Sequence, residues 1–117
     1  MRPLAELDVD TADDLVIARL RGEIDTSNAG ELTATLAGAL PDGSRGLILD
    51  LCEVQYLDSA GVSLILTLTR MLARRQQGVC LVVEPGPVRE VLEITLVDKL
   101  APIVEEIEQA RAQLRGT

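Results

Sequence analysis

Aromatic side chains are almost missing from this chain: of its 117 residues only Tyr56 is aromatic, and neither Phe nor Trp occurs. A core must therefore be assembled from Leu, Val, Ile and Ala, and recognition of nucleic acid by base stacking is nearly excluded. Histidine is absent too, which removes the usual general base for a serine nucleophile and the commonest metal ligand. Lys99 is the only lysine and falls near a helix end far along the chain. No base stands ready for a hydroxyl nucleophile, and an enzyme is not expected. The phosphate-cradling patterns GxxxxGK[ST] and GxGxxG are missing as well, so nucleotide binding of those kinds is not expected.

Cysteine is scarce. Cys52 and Cys80 both fall inside predicted strands and read as small buried residues of a reducing compartment. Two isolated thiols without histidine cannot build a metal site, and neither a metal nor another cofactor is expected. Long apolar runs are also lacking. Arg70, Arg74 and Arg75 interrupt the longest candidate, well short of the roughly 18 residues of a membrane span. The opening Met1-Arg2-Pro3-Leu4-Ala5-Glu6 has no apolar signal core. The expectation is a cytoplasmic protein without direct membrane insertion.

What is present is ordinary in amount. With 47% apolar and 26% charged residues, the chain reads as one globular domain over residues 1–117, large enough to bury a core without disulfides. Nineteen acidic residues against eleven basic ones leave a net charge of −8 and a pI near 4.4. Such a surface repels nucleic acid and anionic membranes and attracts a basic partner.

The stretch from Gly46 to Gln77 organises the rest. Gly46-Leu47-Ile48-Leu49-Asp50-Leu51-Cys52 is the nearly unbroken apolar run of a strand covered on both faces. After Asp58-Ser59-Ala60-Gly61 an apolar helical pattern begins, with Val62, Ile65, Leu66 and Thr69 beside Leu64, Leu68, Met71 and Leu72. Ser63, Thr67, Arg70 and Arg74 form its polar stripe. A buried strand hands over to a long helix, and an acid and a hydroxyl stand side by side at the joint.

Before it, Ala5 to Asp10 and Asp14 to Arg21 read as antiparallel strands joined by the turn Asp10-Thr11-Ala12-Asp13. The second of these alternates and looks half buried. Thr26, Ser27 and Asn28 offer caps for a first helix carrying Ala29, Leu32, Leu36 and Leu40, ended by Pro41-Asp42-Gly43-Ser44. After it, Gly78 is placed as a left-handed cap of the central helix. Val79 to Val83 is another apolar strand. Pro87 suits the first turn of a third helix, whose inner face would be Val88, Val91, Leu92, Leu96 and Leu100. Ala101 to Val104 is short enough for an edge strand, and Glu105 to Leu114 completes a terminal helix with Ile107, Ala110 and Leu114 in phase. The fold class is α/β: a mixed sheet of about five strands, with an initial hairpin and later parallel strands, covered by about four helices.

Two readings are open at the joint. In the plainer one, Asp58 caps the central helix and Ser59 fills its first turn. In the other, Ser59 is modified. Free N–H groups and the helix dipole favour an added anion there, and phosphorylation would bring about −1.5 to −2 charges without melting the helix. The carboxylates Asp25, Asp50 and Asp58 fall near predicted strand ends and read as solvated loop groups.

Arg21-Gly22-Glu23-Ile24-Asp25, Leu47-Ile48-Leu49-Asp50-Leu51 and Val54-Gln55-Tyr56-Leu57-Asp58-Ser59-Ala60-Gly61 together resemble the STAS domain family (sulfate transporter and anti-sigma-factor antagonist), and within it the free-standing bacterial anti-sigma-factor antagonists. The resemblance covers essentially the whole chain. It implies a phosphoprotein of transcription regulation that works by partner switching. The unmodified form binds an anti-sigma factor, itself an ATP-dependent serine kinase, and so frees a sigma factor. Phosphorylation of Ser59 releases that partner, and a phosphatase resets the switch. Asp58 matches the aspartate before the acceptor, Gly22 and Asp25 match the neighbouring loop, and Gly61 matches a glycine allowing close backbone approach. Ala60 stands where many relatives carry a second serine, and Cys52 where a serine is common.

The partner surface expected on this basis comprises Gly22, Glu23, Asp25, Thr26, Ser27 and Asn28 from the loop, then Asp58, Ser59, Ala60, Gly61 and Ser63 from the joint and the start of the central helix. Alternatives within the same family are a STAS subunit of a membrane lipid-transport complex and a component of a stress-signalling scaffold.

Overall fold

The computed structural model of the protein describes residues 5–40 and 43–115. Strand β1 (Ala5–Ala12) and strand β2 (Leu15–Ile24) form an antiparallel hairpin in which Ala12 faces Leu15. The turn is therefore tighter and later than the sequence suggested. Asp13 takes it with φ 57, a left-handed position that aspartate tolerates better than most side chains. Helix α1 (Ala29–Ala39) leads to strand β3 (Gly46–Leu57), helix α2 (Ser59–Ala73) and strand β4 (Gly78–Val82). Helix α3 (Pro87–Ile94), a 3-10 turn (Val97–Lys99), strand β5 (Ile103–Val104) and helix α4 (Ile107–Arg115) follow. The expected end of α1 at Pro41-Asp42 lies outside the described residues.

Strand order in the sheet is β1-β2-β3-β4-β5, antiparallel at the first pair and parallel thereafter. Each parallel connection carries one helix, as crossovers require. Leu36, Leu64, Ile65, Leu68, Leu72, Val88 and Leu92 from α1, α2 and α3 share one core with Val16, Ala18, Leu47, Leu49 and Leu81 of the sheet. The other face holds a smaller core in which Ala110, Ile107 and Leu114 of α4 cover Leu15, Ile17, Ile48, Cys80 and Val82. This second layer explains why β2 is not half buried as its alternation implied: Leu15 and Ile17 are as enclosed as Val16 and Ala18.

Helix α4 reaches only part of its face. Beyond it the sheet carries charge: Arg21 pairs with Asp8 at 2.6 Å and lies 3.7 Å from Glu53, while Arg19 sits between Asp10 and Asp50. Cys52 opens onto this uncovered region and is exposed, against expectation, whereas Cys80 is buried.

Strand β3 runs longer than its apolar opening because it is bulged. Its register against β2 shifts between Arg19 and Arg21 and again between Gly22 and Glu23, an extra β3 residue each time. Leu47, Leu49 and Leu51 face the larger core at two-residue steps, and the two insertions let Val54 and Leu57 return to it at three-residue steps.

Two further expectations need correction. The left-handed residue after α2 is Gln76, with φ 60; Gly78 instead opens β4, where Leu114 would lie 3.0 Å from an added Cβ. Helix α3 also stops earlier than its apolar phase suggested. Thr95 bonds its hydroxyl to the Val91 carbonyl, Leu96 turns left-handed at φ 62, and the phase resets. Val97 and Ala101 enter the core, while Leu96 and Leu100 point outward. No helix among the described residues is long and apolar enough to cross a membrane.

Candidate functional site

The ends of β2 and β3 lie together, with Glu23 opposite Tyr56 and Ile24 opposite Leu57. The Asp58 N–H reaches the Ile24 carbonyl at 3.4 Å. This pairing brings two segments distant in sequence to one edge of the sheet: the loop that follows Ile24 and the turn into α2. Gly22, with φ 98, sits at the second bulge, where a side chain would be strained.

Asp58 is the N-cap of α2. Its Oδ1 accepts from the Ala60 N–H at 2.9 Å and the Gly61 N–H at 3.4 Å, and its carbonyl accepts from Val62 at 3.0 Å. Two amides that a helix start leaves unpaired are thereby satisfied. Ser59 occupies the first position of the helix and is exposed. Ala60 is half-buried and Gly61 buried. A Cβ at Gly61 would meet Leu57 Cγ at 2.5 Å and Ile24 Cγ2 at 3.3 Å. Of the residues expected to meet a partner, Gly61 is therefore an internal one, which lets α2 start directly against the strand ends.

The neighbouring loop braces itself. Asp25 Oδ1 accepts from the Ser27 N–H at 2.8 Å and from the Ser27 hydroxyl, and these donors hold its carboxyl below the usual range. Asn28, placed as a cap, turns its side chain back instead: Oδ1 accepts from the Asp25 N–H at 3.0 Å, and Nδ2 donates to the Glu23 carbonyl at 2.8 Å. Helix α1 thus starts at Asn28 without a side-chain cap, and the loop from Glu23 to Asn28 gains a fixed shape in return.

Thr26, Ala60 and Ser63 line a shallow groove of about 310 Å³ between α1 and α2, together with Gly30, Thr33 and Thr67. Glu23, Thr26, Ser27, Ser59 and Ser63 are exposed around it. One residue escaped sequence reasoning. Tyr56, the single aromatic, is 49% exposed beside Glu23. The change from two- to three-residue apolar spacing at Leu51, Val54 and Leu57 is the signal that places it off the core.

An exposed hydroxyl thus stands at the start of α2, beside a braced loop that carries Asp25. The profile of the STAS domain matches residues 6–110. The chain belongs to the STAS domain family. It is 35% identical over 111 residues to BtrV of Bordetella bronchiseptica, a candidate anti-sigma factor antagonist, covering 94% of this chain and 95% of that one. Its fold is similar to that of an anti-sigma factor antagonist from Mycobacterium paratuberculosis, with a TM-score of 0.87 at 23% identity over 95% and 94% of the two chains. It is also similar to SpoIIAA, whose unphosphorylated form superposes with a TM-score of 0.79 at 23% identity over 96% of this STAS chain and 98% of that one. The phosphorylated form of SpoIIAA, a Bacillus cell-fate determinant, superposes at 0.70.

Proposed function

We propose that this chain is an anti-sigma-factor antagonist whose binding is switched by phosphorylation of Ser59. Unmodified, it binds an anti-sigma factor that is an ATP-dependent serine kinase, and a sigma factor is set free. Phosphorylated, it lets that partner go until a phosphatase removes the group. The observation that carries the reading is Ser59 itself, exposed at the first position of α2 while Asp58 takes the next two amides. A phosphate at Ser59 would meet the positive end of the helix dipole, so the fold tolerates it. Gly61 packs closely against Leu57, which fixes the backbone from which the new charge would project. In a contact, that charge would have to be stripped of water and find fresh donors, which weakens binding. The surface it would disturb is formed by Glu23, Asp25 to Asn28, Tyr56, Ala60 and Ser63.

The test is a paired capture from the native host's lysate with ATP or ADP present, using Ser59→Ala and Ser59→Asp as baits. The alanine bait should retain a small ATP-binding kinase that the aspartate bait misses, and that kinase should phosphorylate the wild-type chain at Ser59. Membrane transporter subunits retained equally by both baits would overturn the switch.

A further inference from the structure

Strand β1 has a neighbour on one side only. It pairs with β2 along its whole length, from Ala5 opposite Gly22 to Ala12 opposite Leu15, and among the described residues no strand pairs with its other edge. Alternate N–H and C=O groups of β1 therefore point out of the sheet, the template that an added strand requires. The far edge, β5, has 2 residues, too few to serve in the same way. The two faces beside the free edge differ. Glu6, Asp8 and Asp10 stand at two-residue steps on the face that α4 leaves open, in contact with Arg21 and Arg19 of β2. Glu6, Asp8 and Glu53 meet at Arg21, and Asp10 and Asp50 at Arg19, so five carboxylates share two guanidinium groups. The three on β1 are outermost, with the side chains of Glu6, Asp8 and Asp10 64%, 61% and 75% exposed. On the other face Leu7 packs half-buried against the larger core, and Val9 is 38% exposed.

An open backbone edge flanked by an unbalanced row of charge admits one kind of occupant. A second copy joining antiparallel through the same edge would bring its own Glu6, Asp8 and Asp10 onto the same face, and like charges placed opposite one another are destabilising. An acidic segment is refused for the same reason. We infer that the free edge of β1 takes an extended segment of a protein partner as a sixth strand, with Lys or Arg at every second position and apolar, β-branched residues between them. The basic side chains lie beside Glu6, Asp8 and Asp10 and supply the charge that Arg19 and Arg21 leave unmet. The apolar ones lie beside Leu7 and Val9. Strand β2 separates this edge from β3, whose end leads into the Ser59 turn. The inference therefore rests on the sheet and not on the reading of that serine.

The test uses the full-length chain, isotope-labelled for NMR, and two synthetic peptides of about eight residues, one alternating lysine with valine and the other glutamate with valine. Shifts caused by the basic peptide should centre on β1 (Ala5–Ala12) and fade with salt, and the acidic peptide should bind at least about tenfold more weakly. Hydrogen exchange at the outward amides of β1 should slow in the presence of the basic peptide, a protection that charge attraction without strand pairing does not give. Glu6→Gln together with Asp10→Asn should weaken the basic peptide about fivefold at an unchanged melting temperature, both side chains being exposed. Should that pair melt lower, Asp10→Asn alone is the second variant, expected to weaken binding about twofold. An acid row that served only to keep copies apart would give no binding, and that result would overturn the inference. So would equal binding of both peptides, shifts centred on α3 or the Ser59 turn, unchanged exchange in β1, or full affinity in the variants. Calcium alone reproducing the shifts, or dimerisation through β1 in sedimentation, would do the same.

Discussion

Leu57 fills the space that a side chain at position 61 would need: its Cγ lies 2.5 Å from where a Cβ on Gly61 would stand, with Ile24 Cγ2 at 3.3 Å. The end of β3 and the first turn of α2 are thus packed side chain to backbone. Gly61→Ala should force them apart and destabilise the protein by about 1–3 kcal/mol. Thermal unfolding measures the loss, and a melting temperature equal to wild type would show that the joint relaxes freely.

Asp58 accepts from two amides of the first turn of α2. Asp58→Ala should cost about 1 kcal/mol in urea unfolding, while Asp58→Asn, which keeps the accepting oxygen, should lose much less. Equal losses in both variants would point to the charge rather than the cap.

Ser27 is the source of the low Asp25 titration, through its hydroxyl first and its amide second. Ser27→Ala removes the larger of these, so the Asp25 carboxyl should titrate at higher pH, closer to an ordinary aspartate. Because the folded value is depressed, the stability it contributes is present above the unfolded aspartate range and is lost as pH falls through the folded value. Carbon-detected NMR titration of Asp25 in the two proteins reads the shift directly.

The thiols predict alkaline behaviour. Partial desolvation of its sulfur against the sheet, with Asp50 and Glu84 nearby, raises Cys52 to about 11, and burial raises Cys80 to about 11. Cys52 should therefore alkylate slowly at pH 8 although it is exposed, and Asp50→Asn should speed it. In the folded state both thiols hold their protons where unfolded thiols have lost them. Stability is thus complete below about pH 9 and falls toward pH 11. Denaturant midpoints across that range test the sign; a midpoint that rises with pH would refute it.

Much of this was legible in the chain, for physical reasons that can be named. The run Leu47 to Leu51 announced a strand enclosed on both sides, Pro87 stands at the start of α3, and Asp58-Ser59 does sit at a helix start. What stayed hidden depends on contacts between distant residues. That α4 would close over Leu15 and Ile17, yet stop short of Cys52, is a matter of where one helix lands. The bulges that carry Val54 and Leu57 back to the core and leave Tyr56 outside arise from pairing with β2. The break at Leu96 defies its own apolar phase, since nothing in a leucine announces a left-handed turn. At the site, Asn28 looked like a cap but spends its amide on Glu23 and Asp25, a choice that only the folded loop makes available.

The strands stand side by side in the order in which they occur along the chain. A nascent polypeptide can therefore lay the sheet down from one edge, each new strand joining the one made just before it, with no gap held open for a later arrival. Closure waits for α4. Until α4 is made, Ile48, Cys80 and Val82 have no cover, and Leu114 cannot settle over Gly46 and Gly78. Helix α4 is made after all five strands and seals the back of the sheet, so a ribosome-bound chain stopped before it should remain open to chaperones and proteases on that face.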